Sequence, residues 1–157
     1  MPIREKWRWE FFGFESRQEG QPVQVWFDGL TDVERAEIVS LLVYLQNMTD
    51  RPWRKPEYDP LDGETGFSEI RVPELRLSVS GKPRTVVYRI YGWFGPTPRT
   101  YTFLHGTEKD VKNDELGKNI ARRRLAELQR GAATIHKFDF SGRAHRTTIP
   151  RRNGRPN

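Results

Sequence analysis

The residues best suited to chemistry lie between positions 71 and 112, and they are basic or aromatic. The cations are Arg71, Arg84, Arg89, Lys109 and Lys112, with a single histidine, His105, among them. The tyrosines in the same stretch are Tyr88, Tyr91 and Tyr101. Guanidinium and ammonium groups bind phosphate oxygens, while aromatic rings stack on unpaired bases. This combination favours RNA as a ligand.

Such residues also suffice to cut RNA without a metal ion. The ribose 2′-hydroxyl is the nucleophile, and it needs a base, an acid for the leaving oxygen and cations for the developing charge. The chain has no cysteine, which excludes a thiolate nucleophile and cysteine-ligated zinc. It has no phosphate-binding glycine loop, dinucleotide fingerprint or Gly-x-Ser-x-Gly elbow. The sequence therefore predicts a site without metal or cofactor.

The same residues also have ordinary structural interpretations. Arg71 and Arg89 fall on strands, where a half-exposed arginine pairs with a carboxylate such as Glu69 or Glu74. The three tyrosines are typical of a sheet core, and a lone histidine is more often structural than catalytic. Residue types alone leave the catalytic and the structural interpretations open.

Positive charge is concentrated in the last quarter of the chain, although the net charge of the whole is only +6. Residues 1–117 hold 16 basic and 19 acidic side chains, whereas residues 118–157 hold 11 basic and 2 acidic ones. Such a segment attracts polyanions, of which nucleic acid is the commonest in the cytoplasm. An ordinary solvated helix with a disordered tail is the alternative that charge alone leaves open.

Hydrophobic spacing divides the chain into the elements that must position these residues. The predicted helices cover 23–30, 32–45 and 113–129. The predicted strands cover 7–12, 67–72, 75–79, 85–93 and 100–104. Thr31 or Asp32 is suited to cap the second helix, and Gly131 to end the third. Helices and strands are segregated along the chain, which favours an α+β domain with an antiparallel sheet.

The domain is predicted to cover residues 1–131, followed by a basic, flexible tail over 132–157. Residues 135–140 could add a short strand, and the composition of 141–157 is typical of disorder. No apolar run approaches the ~20 residues that a membrane span requires. Charges occupy the N-terminus, where a signal peptide has an apolar core. We therefore expect a soluble, cytoplasmic protein with no membrane contact.

Several short motifs occur in an order that resembles a known family. They are Trp7-Arg-Trp-Glu-Phe-Phe12, Gly20-Gln-Pro-Val23 with Trp26-Phe27-Asp-Gly-Leu30, Phe67-Ser-Glu-Ile-Arg71, Tyr88-Arg-Ile-Tyr91, Phe103-Leu-His-Gly-Thr-Glu-Lys109 and Ala121-Arg-Arg-Arg-Leu-Ala-Glu-Leu128. Together they resemble the RelE/ParE toxin superfamily, most closely its HigB-like, phage-derived branch. The likeness covers about residues 5–130 of the chain.

This resemblance implies a RelE-like fold, with two N-terminal helices on one sheet and a helix after the last strand. It implies a type II toxin that cuts mRNA in the ribosomal decoding site, and a small antitoxin, expected to be a helix-turn-helix protein, as its partner. By position, Arg71 and Arg89 match the two family arginines and are assigned to the scissile phosphate. His105 and Lys109 match the family's His-Gly and first Lys, and one of them is assigned to proton transfer.

The RNA-binding residues follow from the same interpretation. Tyr88 or Tyr91 is expected to orient a base. The remaining cations are expected to bind RNA backbone, with the closing helix and the tail on ribosomal RNA: Arg84, Lys112, Arg122, Arg123 and Arg124. Ribosome and mRNA are therefore partners on this interpretation.

Three departures from the family pattern keep other functions open. Thr107 stands where the family has Phe, Asp110 where it has a second Lys, and Asn113-Asp114 where it has Thr-Pro. Asp110 removes a positive charge where a phosphate should bind. The alternatives are a non-enzymatic protein on the same scaffold, acting as a gyrase inhibitor or an adaptor, and a phage accessory protein.

Overall fold

The computed structural model describes residues 8–48, 53, 57–61, 66–79, 82–108 and 114–141, with no side chains described at 73–79 and 82–86. The elements in chain order are β1 (Glu10–Glu15), α1 (Pro22–Asp28), α2 (Asp32–Gln46), β2 (Tyr58–Pro60), β3 (Phe67–Val79), β4 (Lys82–Phe94), β5 (Thr100–Glu108), α3 (Glu115–Gln129) and β6 (Thr134–Lys137). The α+β class is confirmed. No helix in these ranges is long and apolar enough to cross a membrane.

The described strands form one mixed sheet in the order β2-β3-β4-β5-β1-β6. Neighbouring strands run antiparallel except β1 and β5, which pair in parallel with Glu10 opposite Thr100. The expected antiparallel sheet is therefore realised only in part. Short connections make β3, β4 and β5 antiparallel, whereas β1 and β5 are joined by all the elements from α1 to β4, a connection long enough for them to run in parallel. Strand patterns indicate which face a residue occupies but not the direction of its neighbour.

The last strand, β6, lies beyond residue 131, where the sequence predicts the domain to end. It pairs antiparallel with β1, with His136 opposite Gly13. The side chain of Gln24 in α1 then donates to the Asp139 carbonyl at 2.8 Å and accepts from the Asp139 N–H at 2.9 Å. Phe138 is buried between these contacts. Residues 134–141 therefore belong to the folded domain, and the rest of the expected tail, 142–157, lies outside the described residues.

Local sequence signals set where the helices begin and end. Pro22 stands in the first turn of α1, where its missing N–H costs nothing. Thr31 caps α2: its hydroxyl accepts from the Glu34 N–H at 3.2 Å, and the Glu34 carboxylate accepts from the Thr31 N–H at 2.8 Å. Gly131 has a φ of +78° and donates to the Leu128 carbonyl in the last turn of α3. The predicted caps at Thr31 and Gly131 are thus confirmed.

Two cores lie on opposite faces of the sheet. The helical-pair face is the one that α1 and α2 cover, and its core consists of Phe11, Val23, Phe27, Ile38, Leu42, Leu45, Trp53, Ile70, Val72, Tyr88, Ile90, Tyr101, Phe103 and Phe138. The α3 face is the one that α3 covers, with a smaller core of Phe14, Phe67, Tyr91, Leu104, Ala121 and Leu125. Alternation along β3 and β4 sends the paired Ile70 and Ile90 to the first face and the paired Arg71 and Arg89 to the second.

Candidate functional site

A bulge in β5 brings His105 onto the α3 face. Phe103 belongs to the core of the helical-pair face, so plain alternation would place His105 beside it. The register between β4 and β5 shifts at this point, because Phe103 lies opposite Gly92 whereas His105 lies opposite Tyr91. The extra residue is Leu104, which enters the α3-face core. The bulge therefore places the imidazole beside Tyr91 instead of in the aromatic core.

Arg71 and Arg89 lie directly opposite each other on β3 and β4. The side chain of Arg71 is 43% exposed and binds the buried carboxylate of Glu69, with its Nη2 and Nε 2.9 and 3.0 Å from Oε1. Arg89 is only 5% exposed, and its guanidinium lies near the Tyr91 phenol, whose pKa it lowers against the larger effect of burial. Like charges directly across two strands repel, so Glu69 supplies the counter-charge that lets both arginines share one face. The pairing of Arg71 with Glu69 is the one that its structural interpretation predicts.

Tyr91 connects the imidazole to the beginning of α3. Its ring stacks on the His105 ring, with centroids 6.2 Å apart and 5° between the planes. Its hydroxyl donates to Oδ2 of Asp114 at 3.0 Å, and Asp114 also caps α3 by accepting from the Gly117 N–H at 3.1 Å. Burial raises the pKa of the Tyr91 phenol well above its ordinary value, and the Glu69 and Asp114 carboxylates add to the rise. The phenol is therefore a hydrogen-bond donor at neutral pH.

Arg124 of α3 lies beneath the same cluster and is buried. Its Nη1 donates to the Leu104 carbonyl at 2.8 Å and lies 3.4 Å from His105 Nδ1. Its Nε and Nη2 bind Oε2 of Glu19 at 3.1 and 2.6 Å. The guanidinium also lies over the Phe14 ring, 5.6 Å from the centroid. Arg124, which the sequence assigns to RNA backbone, is thus engaged inside the protein.

Arg122 and Arg123 lie closer to solvent on α3. Arg123 binds Glu19 at 2.7 Å, and Arg122 lies over the Phe67 ring, 5.6 Å from its centroid. The Arg123 hydrogen bond, and after it the bond and charge of Arg124, lower the pKa of Glu19 to about 2 although burial opposes them. The basic run of α3 is therefore partly neutralised by a carboxylate from the other end of the chain.

Tyr88 is the predicted base-orienting residue that the structure places elsewhere. It is 0% exposed and belongs to the core of the helical-pair face. Its hydroxyl donates to Oε2 of Glu34, at the beginning of α2. Tyr88 and Tyr91 therefore point to opposite faces, and only Tyr91 lies beside Arg89 and His105. Tyr101, also buried, belongs with Tyr88.

The remaining predicted cations are not described in full. Lys109 and Lys112 lie outside the described residues, as does Asp110. Arg84 is placed by its backbone alone, opposite Leu77 in the β3–β4 pairing.

The described cluster on the α3 face holds three arginines and three carboxylates around one imidazole and one phenol. Its members are Arg71, Arg89, Arg124, Glu19, Glu69, Asp114, His105 and Tyr91. No family model, curated protein or solved structure matches the chain. The chemistry available to the cluster therefore follows from its own geometry: the half-exposed Arg71 guanidinium can bind an anion, and the His105 imidazole on the same face of the sheet is stacked on Tyr91. Within the described ranges, no group of three or more histidine and acidic side chains could hold a metal ion.

The sequence does not predict that three carboxylates, Glu69, Asp114 and Glu19, belong to the site. Glu69 could have been found from the sequence, because residues two apart on a strand share a face, and Glu69 is two residues from Arg71. Asp114 could have been found too, since an acidic residue just before a helix favours an N-cap. Glu19 could not, because 105 residues separate it from Arg124.

Proposed function

We propose that this chain is the toxin of a type II toxin–antitoxin pair with a RelE/HigB-like fold, and that it cleaves mRNA on the ribosome. The observation that carries the proposal is the placement of Arg71, Arg89 and His105 on one face of three neighbouring strands, the α3 face. These are the residue types that metal-free cleavage beside a ribose needs. The order of two helices after β1, a run of strands and then α3 also agrees with what the family resemblance implies.

The proposed reaction needs no group other than RNA and the protein. The 2′-oxygen attacks the adjacent phosphorus while the bond from phosphorus to the next 5′-oxygen breaks, which gives a 2′,3′-cyclic phosphate and a 5′-hydroxyl. Arg71 contacts the phosphate, and the buried charge of Arg89 behind it stabilises the extra negative charge. One proton leaves the 2′-hydroxyl and one joins the 5′-oxygen, and these transfers fall to His105 or Lys109. Tyr91 supports the imidazole by stacking.

Binding to the ribosome is assigned to the basic surface outside the cluster. Arg122 and Arg123 on α3, together with Arg84, Lys112 and the C-terminal residues, would contact RNA backbone. Such contacts release counterions, so the affinity for ribosomes should fall steeply with salt.

The antitoxin partner is proposed to cover the α3 face. A small helix-turn-helix protein encoded directly beside this chain, whose co-expression restores growth, would support the pairing. Growth arrest that no neighbouring protein relieves would contradict it.

The deciding experiment is inducible expression with primer-extension mapping of transcripts. Wild type is expected to arrest growth and to produce new 5′ ends at translated codons. Arg71→Ala should reduce cleavage by about 100-fold or more, because it removes a charge aimed at the transition state. The control Arg17→Ala, an exposed position outside the cluster, should leave cleavage unchanged.

The outcomes separate the proposed activity from the proposed site. If wild type causes neither growth arrest nor codon-linked cleavage, the nuclease function is wrong. If Arg71→Ala and Arg89→Ala both remain fully active, the function stands and the assignment of the arginines is wrong.

A second function, binding without catalysis, is favoured by the burial within the cluster. Arg89 and Tyr91 are almost fully covered, and Arg71 already holds a carboxylate. A gyrase inhibitor on this scaffold predicts a DNA damage response with intact mRNA, and a phage accessory protein predicts unaffected translation. Lys109→Ala is a further discriminator, since a nuclease should lose activity and an adaptor should not.

A further inference from the structure

The contact between Arg124 and His105 determines which nitrogen of the imidazole carries the hydrogen. A guanidinium has only donors, so at 3.4 Å from Arg124 Nη1 the Nδ1 atom of His105 is the acceptor. A neutral ring that accepts at Nδ1 carries its hydrogen on Nε2. The side of the ring away from Arg124 therefore presents a hydrogen-bond donor.

The Arg124 guanidinium is itself held on several sides. The Leu104 carbonyl accepts from Nη1, the Glu19 carboxylate accepts from Nε and Nη2, and the Phe14 ring lies beneath it. Tyr91 stacks almost parallel to the imidazole. An imidazole turned over by half a rotation would offer Arg124 a C–H group and lose the bond. The arrangement therefore selects one ring orientation and one tautomer.

We propose that Arg124 is a positioning residue, which fixes neutral His105 as an Nε2–H donor toward an oxygen of the scissile phosphate. This role rests on the proposed function and narrows it, because His105 in this form is not the base that takes the 2′-hydroxyl proton. A neutral imidazole is an effective donor to developing negative charge when its surroundings hold it in that form. Arg124 then acts on the reaction through His105 and does not itself contact RNA.

The tautomer is measured on the isolated protein by two-bond ¹H–¹⁵N correlation spectra of the histidine rings. In wild type, the expected pattern for His105 is a bare Nδ1 and a protonated Nε2. Arg124→Met should release the ring, so that a fraction with Nδ1–H appears. The matched control is Arg123→Met, because Arg123 binds the same Glu19 carboxylate without a bond to the ring, and it should keep the wild-type pattern.

Kinetics then tests whether the fixed tautomer matters for the proposed reaction. Arg124→Met should lower kcat for mRNA cleavage on programmed ribosomes by roughly 10- to 100-fold, as loss of a group that orients a histidine does elsewhere. KM should stay within about twofold, since no ground-state contact to RNA is lost. Arg123→Met should instead raise KM. Arg124→Lys, which restores one donor, should recover the tautomer and part of kcat.

The outcomes distinguish the positioning role from the proposed function. A wild-type His105 with Nδ1 protonated, or an unchanged tautomer in Arg124→Met, overturns the positioning role whatever the activity. Cleavage with wild-type kcat in Arg124→Met also overturns it. A wild-type protein that cleaves no mRNA overturns the nuclease function, and the spectra then decide the ring arrangement alone. If Arg124→Met does not fold in a thermal melt, Arg124→Gln replaces it, because its shorter side chain does not reach the ring. A fraction with Nδ1–H and a kcat below wild type then support the role, whereas the wild-type tautomer overturns it.

Discussion

Two tyrosines of β4 point to opposite faces of the sheet, and the hydroxyl of each donates a hydrogen bond to a carboxylate at the beginning of a helix. Tyr88 donates to Glu34 in the first turn of α2, and Tyr91 donates to the α3 cap, Asp114. Each contact ties the central strand to a helix through a carboxylate that also accepts a backbone N–H at the helix N-terminus. The two faces therefore share one device for docking a helix on the sheet.

The surroundings of the two tyrosines differ. The face that holds Tyr88 is an aromatic core. The Tyr88 ring lies 6.5 Å from the Trp26 ring, and elsewhere on this face the centroids of Phe11, Tyr101 and Phe103 are 5.2–6.3 Å apart. Around Tyr91 the neighbours are arginines, carboxylates and an imidazole. The helical-pair face holds the fold together, whereas the α3 face tolerates charge because its groups are paired. Substitutions on the first face should cost stability alone, and those in the polar cluster of the second face should also cost activity.

The largest expected effect is on the helical-pair face. Phe103→Ala should lower the free energy of unfolding by about 3–5 kcal/mol, because it leaves a cavity where the ring contacts Phe11 and Phe138. Urea denaturation measures the change. Val25→Ala, at a position 70% exposed on α1, should stay within about 0.5 kcal/mol of wild type. A loss below about 1 kcal/mol for Phe103→Ala would show that this core collapses around the gap.

The two tyrosines provide the sharpest test of the comparison. Tyr88→Phe and Tyr91→Phe each remove one hydroxyl that donates to a carboxylate, so each should cost about 1–3 kcal/mol of stability. Only Tyr91→Phe should also lower mRNA cleavage, because only the Tyr91 hydroxyl ties the ring that stacks on His105 to Asp114. Both variants are compared at temperatures where they are fully folded.

If both variants cleave mRNA like wild type, the functional distinction between the two faces is wrong. Equal losses of cleavage in the two folded variants would show that the Tyr88 hydroxyl supports the site as much as the Tyr91 hydroxyl does. A loss in Tyr88→Phe alone would place the site on the wrong face.

The sequence predicts most of the elements because their amphipathic patterns are long enough to read. It divides β3 into two strands at Pro73, where the structure has one strand with a register shift between Val72 and Leu75. Proline lacks an N–H and is tolerated in a sheet at such irregularities. β2 is missed, because three residues ending in Pro60 are too few for a pattern. The first strand is predicted over 7–12 but begins at Glu10.

The candidate site is predictable only where neighbouring strands pair in simple register. The side chains of Arg71 and Arg89 share a face because both follow the alternation of their strands. His105 does not, since the extra Leu104 reverses the alternation after Phe103, and no local signal marks that bulge. Contacts such as Glu19 with Arg124 join distant parts of the chain and have no pattern in the sequence.

Acid should lower the free energy of unfolding, because it protonates Glu19 on the α3 face. Its folded pKa of about 2 lies below the ordinary 4.5, so its stabilising contribution is fully present above pH 4.5 and is lost as the pH falls toward 2. Between pH 7 and pH 3, wild type should lose about 1–2 kcal/mol more than Glu19→Gln, with partial screening by solvent allowed for. Urea midpoints at the two pH values measure this difference.

The control for the acid effect is Glu37→Gln, an exposed position on α2 of the helical-pair face. This variant should follow the wild-type pH profile. A Glu19→Gln variant that loses as much stability as wild type would show that the α3 face does not depend on this carboxylate.

Substitutions at the two helix caps should have the smallest effects on stability, and only the one on the α3 face should also change cleavage. Thr31→Ala removes the hydroxyl half of the α2 capping box and should cost about 1 kcal/mol without changing cleavage. Asp114→Asn keeps an oxygen for the Gly117 N–H, so α3 should lose less than about 1 kcal/mol. It also removes the negative charge that receives the Tyr91 hydroxyl, so cleavage should fall although stability hardly changes. Thermal melts and cleavage assays on both variants measure the two quantities. If Asp114→Asn cleaves like wild type, the link from α3 through Tyr91 to His105 carries no function, and Asp114 is a helix cap equivalent to Thr31.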